Sequence, residues 1–192
     1  MREIIKLGLI LLLITSISAV VLGLTNDITK GEIAEAEALV SEEARMAVLP
    51  DASKFEEEDT DEITQIVKDN ENILEVYRGL SDNEEVVGYA IKTASPGYGG
   101  NVEVITGLSI DGKITGMNVV SHQETPGLGA NATTSDFQSQ FKEKPADNEI
   151  VVTKSTPQND SEIQSLTGAT ITSDAVVKGV NMARELYNNN LK

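Results

Sequence analysis

Hydrophobic positions are distributed very unevenly along the chain. Leu7 to Asn26 carries no charged side chain, and from Leu7 to Ile14 only Gly8 interrupts the apolar run. At about 1.5 Å rise per residue this stretch spans about 30 Å as a helix, the hydrocarbon thickness of a bilayer. The pattern predicts a transmembrane anchor. Arg2 and Lys6 precede it; Asp27, Lys30, Glu32 and Glu35 follow it. The positive-inside rule then keeps the short N-terminus in the cytoplasm and puts the bulk of the chain on the extracytoplasmic side. Ser16, Ser18 and Ala19 offer small residues for a signal-peptide cleavage site. The apolar run, however, exceeds the ~7–15 residues of a signal h-region, which favours a retained, single-pass anchor.

Beyond the anchor the periodicity changes. Ile33, Ala36, Leu39 (or Val40), Ala44 and Val48 form a helical stripe over 28–49, and Pro50 ends it. Asp51–Glu62 holds seven acids and one Lys, and reads as a solvated face or a mobile connector. From 63 onward the pattern turns to strands. Ile73–Tyr77 and Val86–Ile91 are β-rich, and Asn101–Ile110 alternates at Val102, Val104, Leu108 and Ile110. Asp111-Gly112 then supplies a two-residue hairpin turn before Lys113–Val120. Ser135–Lys142, with Phe137 and Phe141 four apart, predicts a short helix, and Glu149–Thr153 a further strand. Val176, Val180, Ala183 and Tyr187 share one face of a last helix over Ser173–Asn188. The expected fold class is α+β: an N-terminal transmembrane helix, then a domain with an antiparallel sheet and flanking helices. The expected organisation is 1–26 cytoplasmic N-terminus and anchor, 27–62 helix and acidic connector, and 63–192 a ligand-binding domain.

Composition narrows the chemistry. With 15 Lys and Arg against 31 Asp and Glu, the net charge of −16 excludes a nucleic-acid partner, which needs a basic face. The chain has no Cys and one His, so it holds no iron–sulfur cluster, zinc–thiolate site or multi-histidine metal centre of its own. No metal-ligand set and no residue that catalyses by itself is expected. Demanding chemistry must come from carboxylates, hydroxyls or a borrowed cofactor.

Three segments are candidates. Thr167-Gly168-Ala169-Thr170-Ile171-Thr172-Ser173 pairs hydroxyls with residues small enough for close backbone approach, and runs into the last helix. A helix N-terminus favours an anion such as phosphate, and Thr172 or Ser173 would be its N-cap. Spacing alone favours a plain helix cap. Glu124-Thr125-Pro126-Gly127-Leu128-Gly129 is a tight loop directly after a hairpin strand, and Gly97-Tyr98-Gly99-Gly100 is a glycine turn before one. His122 beside the Glu124 loop reads as a surface or packing residue rather than a catalytic one. Lys178, about two turns into the last helix, reads as a solvated side chain. The patterns at Asn131-Ala132-Thr133 and Asn159-Asp160-Ser161 fit glycosylation, but such short motifs recur by chance.

These three strings, in their order along the chain, resemble the FMN-binding domain family, and the Gly-Tyr-Gly-Gly turn and short chain resemble most its branch of Rnf G subunits, from ion-translocating ferredoxin:NAD⁺ oxidoreductases. Thr-Gly-Ala-Thr-x-Thr is similar to that family's flavin-attachment motif. The resemblance implies FMN held covalently by a phosphoester on Thr170, with Thr167, Gly168, Ala169 and Thr172 around it. It also implies that Thr125, Leu128 and Gly129 border the isoalloxazine or ribityl chain, with Glu124 either accepting a hydrogen bond from the flavin or bracing the loop. The family's acid three residues before the motif is replaced by Gln164. A Thr hydroxyl needs activation that nothing here supplies, so a flavin transferase is the implied modifying partner. The other implied partners are the membrane and iron–sulfur subunits of an Rnf complex, between which FMN would relay electrons. Alternatives are the C subunit of the sodium-translocating NADH:quinone reductase, a separate tethered flavoprotein with an extracellular acceptor, or a non-redox anchored binding module.

Overall fold

The computed structural model describes residues 1–192. The chain divides into two compact units, Met1–Val40 and Ser41–Lys192. The first is the greater part of α1 (Arg2–Val48), a helix long and apolar enough to cross a membrane. Its leucines, isoleucines and valines are exposed. Its hydroxyls are satisfied internally: Thr15 donates to the carbonyl of Leu11 (3.0 Å) and Thr25 to that of Val21 (2.9 Å). Lipid offers such groups no partner, so this back-bonding suits a spanning segment. No Pro interrupts Leu7–Val48, and Gly8, Gly23 and Gly31 each cost only about 1 kcal/mol, so the anchor and the following stripe form one helix.

The second unit is built on a six-stranded antiparallel sheet in simple sequence order: β1 (Lys54–Glu57), β2 (Ile73–Leu80), β3 (Val86–Pro96), β4 (Asn101–Ser109), β5 (Lys113–Ser121) and β6 (Lys144–Pro145). Local hairpins explain the order, and β4 and β5 meet around the Asp111-Gly112 turn as the pattern predicts. α2 (Asp61–Asp69) lies between β1 and β2, and α3 (Ser135–Gln138) with a 3₁₀ turn at Ser139–Phe141 lies between β5 and β6. A parallel pair, β7 (Val151–Thr153) and β8 (Glu162–Gln164), precedes α4 (Thr170–Leu186). The chain ends in a π-helical turn at Tyr187–Leu191. This is the α+β class expected.

The alternation of β3 to β5 gives the sheet two apolar faces. One packs on α4, where Val176, Val180 and Ala183 meet Ile91, Val104 and Leu108. The other packs on the last turns of α1, where Ala44 and Val48 meet Ala90 and Ile105. Polar contacts fasten this second face. Arg45 and Lys92 both reach Glu75 (3.3 and 3.4 Å), Lys92 also reaches Glu103 (3.3 Å), and the Arg45 guanidinium lies 4.1 Å from the Tyr77 ring centre.

Several elements depart from the pattern-based reading. The acidic run contains β1, because Phe55 packs inward and Arg78 on β2 pairs with Glu56 (3.0 Å). Residues 61–69 are helical rather than the start of the strands; Ile63, Ile66 and Val67 supply the short apolar face that packs on the core. β6 and β8 are too short to show periodicity. The last helix begins at Thr170, not Ser173. Its N-cap is Ala169, which makes no side-chain cap, and the Ser173 hydroxyl instead donates back to the Ala169 carbonyl (3.0 Å).

Phe137 and Phe141 are fully buried edge to face, with ring centres 5.7 Å apart. Phe141→Ala is expected to lower stability by about 3–5 kcal/mol, read as a fall in the denaturant midpoint with unchanged slope.

Candidate functional site

Three loops converge at one end of the sheet: the β3–β4 turn, the segment after β5 and the N-terminus of α4. Together they enclose a cleft of about 530 Å³. Glu124, Thr125, Leu128 and Gly129 form one wall. Gly168, Ala169, Thr170 and Thr172 form another. Thr167 is set apart: it is exposed and lines an adjoining cavity of about 310 Å³, which Gly168 and Thr170 share. The structure thus gathers eight of the nine residues singled out from the sequence into one cleft and puts the ninth beside it.

The buried carboxylate of Glu124, 7% exposed, joins the three loops. Its Oε1 accepts from the backbone N–H groups of Tyr98 (2.8 Å) and Gly99 (3.1 Å). Its Oε2 accepts from the Thr172 hydroxyl (2.8 Å). Burial pushes the Glu124 carboxyl upward, but the hydrogen bonds from Thr172, Gly99 and Tyr98, with the His122 imidazole nearby, outweigh it and hold the pKa below the ordinary value. Glu124 is therefore a brace, with three of its roughly four acceptor sites filled from inside the chain. The fit requires a glycine at 129, where a Cβ would stand 2.5 Å from both Glu124 Oε2 and Thr172 Oγ1. His122 supports the same loop, its Nδ1 accepting the N–H of Glu124 (3.1 Å).

The hydroxyls around the motif have distinct fates. Thr172 is spent on Glu124. Ser173 donates to Ala169 and accepts the N–H of Leu166 (2.9 Å). Thr170, in the first turn of α4, is half-buried and faces the cleft. Its backbone N–H and those of Ile171 and Thr172 belong to the unpaired set at a helix start, the positive end of the dipole. Gly168 enters this turn with φ +76°, a conformation costly for residues with a Cβ. Lys178 lies elsewhere, in a groove with Glu149, Asp174 and Glu185.

Two cleft residues lay outside the candidate set. Tyr98 is 73% exposed and Ile171 54% exposed, and with Leu128 (44%) they form an apolar rim. The Gly-Tyr-Gly-Gly string flagged the position of Tyr98. Ile171 occupies the unconstrained place in Thr-Gly-Ala-Thr-x-Thr and carried no signal.

An apolar cleft closed by a glycine loop and a helix N-terminus defines a small-ligand site on an α+β scaffold. The model of the FMN-binding domain family matches residues 97–185, which include all three loops. The chain is 46% identical, over 98% of its length and 93% of the relative's, to the G subunit of the Na⁺-translocating ferredoxin:NAD⁺ oxidoreductase complex of Acetobacterium woodii. It is 33% identical to the G subunit of the ion-translocating oxidoreductase complex of Methanosarcina acetivorans, covering 95% of this chain and 93% of that one. It is 34% identical to the proton-translocating counterpart of Clostridium ljungdahlii, covering 88% and 83%. The chain belongs to this family of G subunits from ion-translocating oxidoreductase complexes. Two solved structures share the fold: NqrC of Shewanella oneidensis (TM-score 0.50, 19% identity, 57% of this chain and 54% of that one) and the C subunit of the Na⁺-translocating NADH-quinone reductase of Parabacteroides distasonis (TM-score 0.52, 20% identity, 67% and 66%).

Glu124→Gln replaces an acceptor with an amide whose N–H₂ opposes the donors around it, and is expected to cost about 1–3 kcal/mol near neutral pH. The folded carboxyl titrates below its unfolded value, so its contribution is complete above that value and fades as pH falls through the lower folded one. The stability gap between wild type and Glu124→Gln should therefore narrow below about pH 4, as measured by denaturant titration at stepped pH.

Proposed function

We propose that the chain is the electron-transfer G subunit of a membrane-bound, ion-translocating ferredoxin:NAD⁺ oxidoreductase, and that it carries FMN joined by a phosphoester to Thr170. The supporting observation is the placement of Thr170: a hydroxyl facing a cleft at the first turn of α4, where the hydroxyls of Thr172 and Ser173 are already committed. The site suits the group. Its volume of about 530 Å³ lies within the ~300–1,000 Å³ usual for small-ligand pockets. Apolar side chains at Tyr98, Leu128 and Ile171 offer contact to a flat ring system. Attachment would break the pyrophosphate of FAD, join the FMN phosphorus to Thr170 Oγ1, release AMP and pass the hydroxyl proton to a base or metal of a flavin transferase.

Once bound, FMN supplies one- and two-electron redox chemistry. The chain's own work is positional. Glu124 fixes the loop spacing, Gly168 and Gly129 keep the backbone close, and the α4 N–H groups face the phosphoryl side. With no Cys in the chain, electrons must arrive from and leave to iron–sulfur and membrane subunits of the complex. α1 supplies a single-pass anchor, its N-terminus cytoplasmic and the domain extracytoplasmic, by the Arg2 and Lys6 asymmetry. Sodium is named for the Acetobacterium relative and protons for the Clostridium one, so the family spans both ions. The quinone-reductase alternative rests on likeness of fold at 19–20% identity, against G-subunit relatives matched over nearly the whole chain.

Expressed with a transferase and run on a denaturing gel, the wild-type chain is expected to give a flavin-fluorescent band and Thr170→Ala none. Thr167→Ala, outside the cleft, should keep the band. An undiminished Thr170→Ala band would falsify the assignment.

A further inference from the structure

We propose that the Lys154 ammonium is the cation that faces the phosphoryl group on Thr170, an inference that rests on the attachment proposed above. The backbone brings these residues together. Asn181 on α4 holds Ile150, just before β7, through both its amide groups (2.9 and 2.8 Å). β7 and β8 then run parallel, with Thr153 opposite Gln164. Parallel strands carry their next residues forward side by side, and the Ser165 N–H donates to the Thr153 carbonyl (2.8 Å). Lys154 thus emerges beside Ser165, on the approach to Thr167–Thr170. Its turn is fixed by the Ser155 N–H donating to Thr153 Oγ1 (3.3 Å).

The result is the adjoining cavity of about 310 Å³, in which Lys154, Gln164 and Thr167 meet Thr170. Thr170 is a shared wall: apolar rim residues flank it in the larger cleft, and mainly polar ones in the smaller cavity. A flavin fixed through its phosphorus has a flat apolar end and a charged end at the attachment atom, matching the two cavities in that order. A phosphodiester on Thr170 keeps one negative charge.

Lys154 is free to answer it. Lys30, Lys54, Lys92, Lys113 and Lys192 each hold a carboxylate within ion-pair distance, whereas Lys6, Lys68, Lys142, Lys144, Lys154 and Lys178 hold none, and of these Lys154 is the one that lines the cavity at Thr170. Gln164, the side chain beside it in the cavity, is neutral.

The test is trace acylation of lysines in the full-length chain in detergent, made with a transferase, with rates read residue by residue by mass spectrometry. Flavinylated and unflavinylated wild-type chains are compared, with Lys142 and Lys178 as internal references. Flavinylation is expected to slow Lys154 by about two- to five-fold, the effect of an exposed ion pair. The protection should shrink in ~0.5 M salt, which screens charge pairing but not steric cover. Thr170→Ala made with the same transferase should show no protection. Equal Lys154 rates in the two wild-type forms, or a protection indifferent to salt, would overturn the pairing and leave the Thr170 linkage standing. A wild-type chain that carries no flavin would overturn both.

Discussion

Everything at the site depends on a carboxylate that reacts with nothing. Glu124 gathers two backbone N–H groups from the β3–β4 turn and one hydroxyl from α4 while sitting on a third loop. A buried carboxylate is tolerable only when its lone pairs are filled, and the converse gives it structural force: each donor must stay in place to avoid stranding a charge. The three loops come from distant parts of the sequence and have little regular structure of their own. Glu124 converts them into a cleft of fixed width.

α4 links this clamp to the core. Its apolar stripe is buried against β3 and β4, so its N-terminus is held at the edge of the sheet and its dipole aims at a fixed spot. Its polar side chains act outward: Thr172 to Glu124, Asn181 to Ile150, and Arg184 to the Ala146 carbonyl (3.1 Å). One helix therefore positions both the Thr170 hydroxyl and the parallel strand pair that delivers Lys154. On the opposite sheet face, Arg45 and Lys92 sharing Glu75 fasten the last turns of α1. Arg45, Lys92 and Arg78 thus use some of the chain's few cations to tie elements together.

The legible parts of the sequence were those governed by periodicity or by turn chemistry. The long apolar run, the Val102–Ile110 alternation, the Asp111-Gly112 turn and the α4 stripe each report a local constraint, and each appears as an element. The site strings were legible through their resemblance to the FMN-binding domain family, since small residues and hydroxyls at fixed offsets fit a plain helix cap or connecting turn as well. What was hidden depends on partners far along the chain. β1 is a strand because β2 receives it and Arg78 offsets its acids, which no window of the acidic run reveals. The start of α4 shifted from Ser173 to Thr170 because Ser173 caps backward to Ala169 and Thr172 is drawn away by Glu124. The bracing role of Glu124 needed knowledge of which N–H groups lie opposite, and Lys154 gained meaning only through the parallel register with β8.

That shift of three residues bears on function, since it moves Thr170 from a loop preceding the helix into its first turn, under the dipole and facing the cleft. The central claim concerns one oxygen atom. Peptide mass spectrometry of the chain isolated from cells that possess the transferase measures it directly. The account predicts that the peptide spanning Thr167–Ser173 carries the mass of an esterified FMN, fragmenting to place it on Thr170. An unmodified Thr170 in that peptide, or a flavin located on another residue, would contradict it.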